Sequence, residues 1–174
     1  IPYIETVAVY VGLGANREDP AETFNEALSR MEAYGDEIRF AKASDVYVTE
    51  PQGEVKDQPW FHNQVVRYDV DPEIWSPEGF LSTLQAIEAQ VGRDRGAETP
   101  GGPRVLDMDL LLFGDVEQAI GYLDLPHPRM LERAFVLVPL GQIAPDLVLP
   151  GGKTPAQALA DLDYHLEGNR IRQA

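Results

Sequence analysis

Cysteine is absent from all 174 residues, which excludes disulfide frameworks, thiol nucleophiles, thiolate zinc sites and iron–sulfur clusters together. Long apolar runs are missing as well. No stretch approaches the roughly 18 residues that a bilayer span requires, so a membrane span is excluded. Positive charge is scarce: 14 Lys plus Arg stand against 29 Asp plus Glu, a net charge of −15 with a pI near 4.4. Such a field repels nucleic acid and anionic membrane, and neither is expected as a partner. Only three of the cations are lysines, Lys42, Lys56 and Lys153. The opening IPYIETVAVYVG has no basic leader and no small-residue cleavage site, so no secretory signal is visible and a cytoplasmic location is expected. Starting at Ile1 in place of Met, the sequence reads as trimmed, or as cut from a longer polypeptide.

What is present is the composition of one folded unit, 44% hydrophobic and 25% charged, long enough to bury about 70% of the surface of its unfolded form. No repeat or low-complexity tract divides it, and the expectation is a single domain over residues 1–174. Residues 5 to 13 alternate as a strand with Val7, Val9 and Val11 on one side, then turn at Gly12, Gly14 and Asn16. A helix follows with Asp19 at N-cap, Pro20 at N1 and Glu22 at N3. Two strand-like stretches, 38 to 48 and 61 to 70, flank the loop TEPQGEVKDQPW, which is long for a hairpin. Ser76 and Pro77 open a second helix, and VLDMDLLLFGD reads as a further strand. The order βαββαβ suggests an α+β sandwich of ferredoxin-like type, an antiparallel sheet with helices on one face. HPRMLERAFVLVPL and a last helix opened by Thr154 and Pro155 are expected to pack around it.

Asp107 and Asp109 are two residues apart in a strand, so their side chains share one face while Leu106, Met108 and Leu110 take the other. Two carboxylates about 7 Å apart repel unless a cation lies between them, and a hard divalent ion such as Mg²⁺ suits oxygen ligands and shared phosphate. The alternative is an edge strand with a solvated polar face. Just upstream, GRDRGAETPGGPR carries Arg93, Arg95 and Arg104 on a glycine-rich segment expected to be mobile, as a lid must be. Guanidinium forks suit phosphate oxygens; alternatively these arginines offset local acids such as Asp94 and Glu98. Arginines beside paired aspartates are the parts of a phosphoryl-transfer site. A neutral and aromatic set, Thr49, Phe61, Asn63 and Phe135, offers the paired donor and acceptor and the flat faces that a heterocycle with amide and amine edges requires. GLGANR has Arg17 where a dinucleotide-binding turn needs glycine, and GGKT lacks the first glycine of a phosphate loop. The three histidines lack zinc-type spacing, and His127 reads either as a structural histidine or as a phosphate contact.

With VGLGAN, YVTEPQGEVKDQPWFHNQVV, LQAIEAQVGRDR, GPRVLDMDLLLFGD and LPHPRMLERAFVLVPL in this order, the chain resembles the 6-hydroxymethyl-7,8-dihydropterin pyrophosphokinases of folate biosynthesis from the first strand to about Pro150. The resemblance implies a ferredoxin-like fold, transfer of the pyrophosphoryl group of ATP to the pterin hydroxymethyl with release of AMP, and two Mg²⁺ ions. It implies that Asp107 and Asp109 hold the metal and that Arg93, Arg95 and Arg104 neutralise phosphate. His127 and Arg133 match positions contacting ATP, and Glu88 falls where the family has an acid near the nucleotide. Thr49 and Asn63 are then expected to hydrogen-bond the pterin, with Phe61 and Phe135 stacked on it. Two departures stand out. Members commonly carry a basic residue and Trp before the GPR, where this chain has ETPGGPR, one residue longer than a common form; and G-A-N replaces the familiar G-S-N, losing one hydroxyl. Of competing classes, a non-catalytic ferredoxin-like sensor leaves Asp107 and Asp109 as a solvated face and forms no AMP. An RNA-binding module is opposed by the charge and by the lack of an aromatic-rich RNP-like strand.

Overall fold

The computed structural model describes residues 5–53 and 55–174; the first four residues and Glu54, both within segments read above, lie outside the described residues. Strand β1 (Val7–Ala15) leads into helix α1 (Pro20–Glu32), and β2 (Ile38–Ala43), β3 (Tyr47–Thr49) and β4 (Phe61–Val70) follow. Helix α2 (Pro77–Gln90), β5 (Asp107–Phe113), the short pair β6 (Gln118–Ala119) and β7 (Asp124–Leu125), helices α3 (Ala134–Ile143) and α4 (Pro155–Leu159), and the hairpin β8 (Tyr164–Glu167) and β9 (Arg170–Gln173) complete the order. The helix starts obey their caps: Asp19 accepts from the Glu22 N–H, Ser76 from Gly79, and Thr154 and Gln157 form a full capping box.

The main sheet runs β5-β1-β4-β3-β9-β8, with β2 also paired to β4. β1 is antiparallel to both β4 and β5, β2 and β3 are antiparallel to β4, and β3 with β9 is a parallel pair. The strand expected over 38 to 48 is broken into two. Ser44 sits at the break: its N–H still donates to Val65 O, but its Oγ accepts the Val65 N–H at 2.9 Å and donates to Asp45 O at 2.8 Å, a side chain taking the place of one ladder bond.

Helices on one face alone proves incomplete. Val9, Val11, Leu13, Met108 and Leu110 bury against Phe24, Met31, Phe80 and Leu84 of α1 and α2. On the other face Tyr10, Val65, Leu111 and Leu112 bury against Val136, Leu137 and Leu140 of α3 and Ala158 of α4. A bulge in β5 turns Leu111 and Leu112 toward the same side, since Tyr10 pairs Leu112 while Val11 pairs Leu110. α3 had no periodic signature because it is buried nearly all round, and Pro139 sits inside it. Both apolar faces are covered only over part of the sheet. The end of β1 and β5 carrying Gly12, Gly14, Asp107 and Asp109 opens as a cleft beside α3.

Candidate active site

Register builds the cleft. Gly14 pairs with Asn63 across β1 and β4 and with Asp107 across β1 and β5, and Gly12 pairs with Asp109. Thr49 pairs with Phe61. Period-two alternation then puts Thr49, Phe61, Asn63, Asp107 and Asp109 on one face of one sheet, and they line one cavity with Arg104, Arg133 and Phe135. Asn63 donates from Nδ2 to Thr49 Oγ1 at 2.6 Å, and both are almost fully buried. A Cβ on Gly14 would lie 3.1 Å from Asn63 Oδ1, so this glycine leaves room for the amide. Arg133 stands with its guanidinium carbon 5.4 Å from the centre of the Phe135 ring.

Asp107 and Asp109 are half-buried at the cleft floor. Loss of water there, and then the neighbouring Asp107 charge, hold the Asp109 carboxyl well above the usual carboxylate range, with Arg133 opposing. Two carboxylates side by side on one sheet face fit a divalent cation. Among the described residues no three His, Cys, Asp or Glu side chains cluster as a metal cage, so a cation on Asp107 and Asp109 must complete its shell with phosphate or water, as magnesium does. A second cavity begins on the far side of Asp109 and is lined by Leu81, Gln85, Arg95, Tyr122, Leu123 and His127 among others. Burial, and then the Arg133 charge, push the His127 imidazole down, and its Nδ1 accepts the Arg129 N–H at 3.3 Å. A neutral ring in that tautomer keeps Nε2–H as a donor.

The glycine-rich segment behaves differently from a uniformly free lid. The Arg93 side chain is only 4% exposed. It donates to Glu88 at 2.6 Å, to both Glu98 oxygens at 2.9 and 3.0 Å, and to Asp107 Oδ1 at 3.0 Å. Arg93 is thus paired with three acids, Asp107 among them, and does not reach into open space. Glu88 is raised by burial, against the hydrogen bond from the Met108 N–H and the Arg93 charge. Arg95, 58% exposed, has a single ion pair to Glu88 at 2.7 Å, and it lines the second cavity. Arg104 faces the first.

Sequence reasoning passed over the group that ties these loops together. Asn16 donates to Gln58 Oε1 at 2.9 Å and to Pro59 O at 2.8 Å, and accepts the Arg104 N–H at 2.8 Å. Gln58 in turn donates to Gly101 O at 2.8 Å. The polar residue closing GLGAN and the Gln before Pro59 were visible, but nothing in their spacing says that they meet.

Paired acids between two cavities, ringed by guanidiniums, define a nucleotide-dependent phosphotransferase class of site. The sequence matches the family described as 7,8-dihydro-6-hydroxymethylpterin-pyrophosphokinase over residues 10–145. A 2-amino-4-hydroxy-6-hydroxymethyldihydropteridine pyrophosphokinase from Pseudomonas aeruginosa is 42% identical over 152 residues, covering 87% of this chain and 90% of that protein. Its namesake from Methylorubrum extorquens is 44% identical over 154 residues, covering 88% and 92%. Among solved structures, the wild-type Plasmodium falciparum HPPK-DHPS aligns with a TM-score of 0.65 at 13% identity, over 97% of this chain and 50% of that longer one. The chain belongs to the 7,8-dihydro-6-hydroxymethylpterin-pyrophosphokinase family.

Proposed function

We propose that the two cavities meeting at Asp109 hold the two substrates of the family's reaction, the dihydropterin beside Thr49, Asn63, Phe61 and Phe135, and ATP beside His127 and Arg95. The chain transfers the pyrophosphoryl group of ATP to the hydroxymethyl group of 6-hydroxymethyl-7,8-dihydropterin in folate biosynthesis, giving AMP and the pterin diphosphate. The pterin hydroxyl oxygen forms a bond to the β-phosphorus and gives up its proton to solvent, while the bond from the β-phosphorus to the bridging oxygen breaks, its electron pair leaving with AMP. The observation that carries the placement is the position of Asp109, which lines both cavities.

Asp107 and Asp109 are the residues that hold metal, two magnesium ions in this reading. When bound, magnesium would offset the negative charge of the transferring phosphoryl group. Asn63 presents an amide edge to the heterocycle, steadied by Thr49, and the two phenylalanine rings close over its faces. His127 offers an N–H, and Arg95, Arg104 and Arg133 supply positive charge to the polyphosphate. Arg93 and Glu88 act at one remove, by fixing Asp107 and the start of β5.

The βαββαβ core with strand order β5-β1-β4-β2 supports a ferredoxin-like description, extended by α3, α4 and the β8–β9 hairpin. A single domain over residues 1–174, a cytoplasmic setting, and small molecules as partners in place of nucleic acid fit the lack of cysteine and the charge of −15. The test is AMP release from ATP, the pterin and Mg²⁺. The parent is expected to turn over, and Asp107→Ala and Asp109→Ala to be inactive while folded. Near-parental rates in either variant at saturating Mg²⁺ would overturn the metal assignment.

A further inference from the structure

The β8–β9 hairpin lies beyond the residues matched to the family, yet one of its residues reaches both walls of the first cavity, one through its side chain and the other through its backbone. Gln173 Oε1 accepts the Ala134 N–H at 2.9 Å, and its Nε2 donates to Glu132 O at 2.6 Å. Its backbone N–H donates to Glu50 Oε1 at 2.8 Å. Glu132 C=O and Ala134 N–H belong to the two peptide planes on either side of Arg133. A single carboxamide therefore fixes both, and with them the extended backbone of Arg133, at φ −117° and ψ 107°.

Helix chemistry explains why an outside residue is needed. The first N–H groups of a helix have no partner within it. Arg133, at the N-cap of α3, has no acceptor in its side chain and makes no capping hydrogen bond. Gln173 supplies that acceptor from 39 residues away along the chain. Ile171, 2% exposed and packed with Ala134 and Val138, seats the strand that carries it, and β9 is paired directly to Thr49 through Ile171. The Thr49–Glu50 wall and the Arg133–Phe135 wall are thus joined through one residue.

We infer that Gln173 is a positioning residue for pterin binding, holding Arg133 and Phe135 in register with Thr49; the inference rests on the reading of this cavity as the pterin site. Gln173→Met keeps the length and volume of the side chain and removes both carboxamide bonds, and Gln173→Ala removes the side chain altogether. Each is titrated with the pterin in the presence of a non-hydrolysable ATP analogue and Mg²⁺, well below its Tm, with Asn63→Leu alongside. Both Gln173 variants are expected to bind the pterin about tenfold more weakly, the scale of one lost net hydrogen bond. A purely structural role would lower Tm and leave the Kd of the folded protein alone, so a pterin Kd within twofold of the parent in Gln173→Met overturns the inference. Should Gln173→Ala fail to fold, the isosteric variant decides. If Asn63→Leu keeps parental affinity, the pterin-site reading fails and the inference with it. If Asn63→Leu loses binding and Gln173→Met does not, only the positioning role is refuted.

Discussion

Replacing Arg93 by Met removes the one cation shared by Glu88, Glu98 and Asp107. Not all three acids are equally harmed. Asp107 is 35% exposed on its side chain and can recover water, and Glu98 keeps Arg104 at 3.5 Å. Glu88, 2% exposed, keeps among the described residues only the Met108 N–H and the exposed Arg95. The variant thus contains one deeply buried carboxylate stripped of its inner partner, a change that costs about 3–5 kcal/mol in comparable buried pairs. Set against a total stability of roughly 5–15 kcal/mol for a domain, urea unfolding at pH 7 should show a large shift in midpoint. Arg95→Ala removes only the exposed partner of Glu88 and leaves Arg93 in place, so it should cost clearly less than Arg93→Met.

The pH dependence of the Arg93→Met effect follows from Glu88. Burial already raises its carboxyl in the parent, and loss of Arg93 raises it further. A carboxyl whose folded-state pKa lies above its unfolded value penalises folding while ionised, and the penalty fades as pH falls through that raised pKa. The stability gap between parent and Arg93→Met should therefore narrow on acidification from neutral pH, and Glu88→Gln added to Arg93→Met should restore about half of the loss. A gap below about 1 kcal/mol at pH 7, or one that widens on acidification, would refute the reasoning.

Asp109→Asn removes the carboxyl that burial, and then the Asp107 charge, hold raised, so Tm should rise by a few degrees in a thermal melt while AMP formation falls about 100-fold or more. Gly14→Ala brings a methyl to 3.1 Å from Asn63 Oδ1; titration should show pterin affinity reduced about tenfold, with circular dichroism unchanged. Arg95→Ala should depress kcat with little change in nucleotide Kd, because its side chain is free to arrive late, whereas Arg104→Ala, tied beside β5, should affect both; equal damage to Kd would argue for a preformed phosphate pocket.

Much of this arrangement was readable from local rules. The caps at Asp19, Ser76 and Thr154 and the period-two pattern of β1, β4 and β5 depend on neighbours a few residues away, and the structure keeps them. The pairing of Asp107 with Asp109 on one face is likewise a matter of strand geometry. What escaped depends on contacts distant in sequence. Helix α3 is apolar on every side because it is covered by the sheet and α4 together, so no periodicity marks it. Ser44 breaks a strand through a bond to Val65, 21 residues away. Arg93 and Arg95 look equivalent in GRDR, yet burial separates them, and burial is not written in a tetrapeptide.

The buried network also bears on how an anionic nucleotide enters so acidic a protein. Three carboxylates surround Arg93, which leaves little positive field for an incoming phosphate. Where the polyphosphate would reach Asp107 and Asp109 from the second cavity, the cations lining the first are Arg104 and Arg133. Those two positive groups stand against three carboxylates, Glu50, Asp107 and Asp109, in a chain whose net charge is −15. Free ATP meets no strong attraction under those conditions, and the carboxylates repel it directly. On the proposed metal assignment, a magnesium complex, with less negative charge, would present a cation to the same two carboxylates and turn repulsion into binding. Metal and nucleotide should accordingly be strongly coupled ligands, each raising the affinity for the other by the same factor, because the pair of aspartates that disfavours one alone is satisfied by both together.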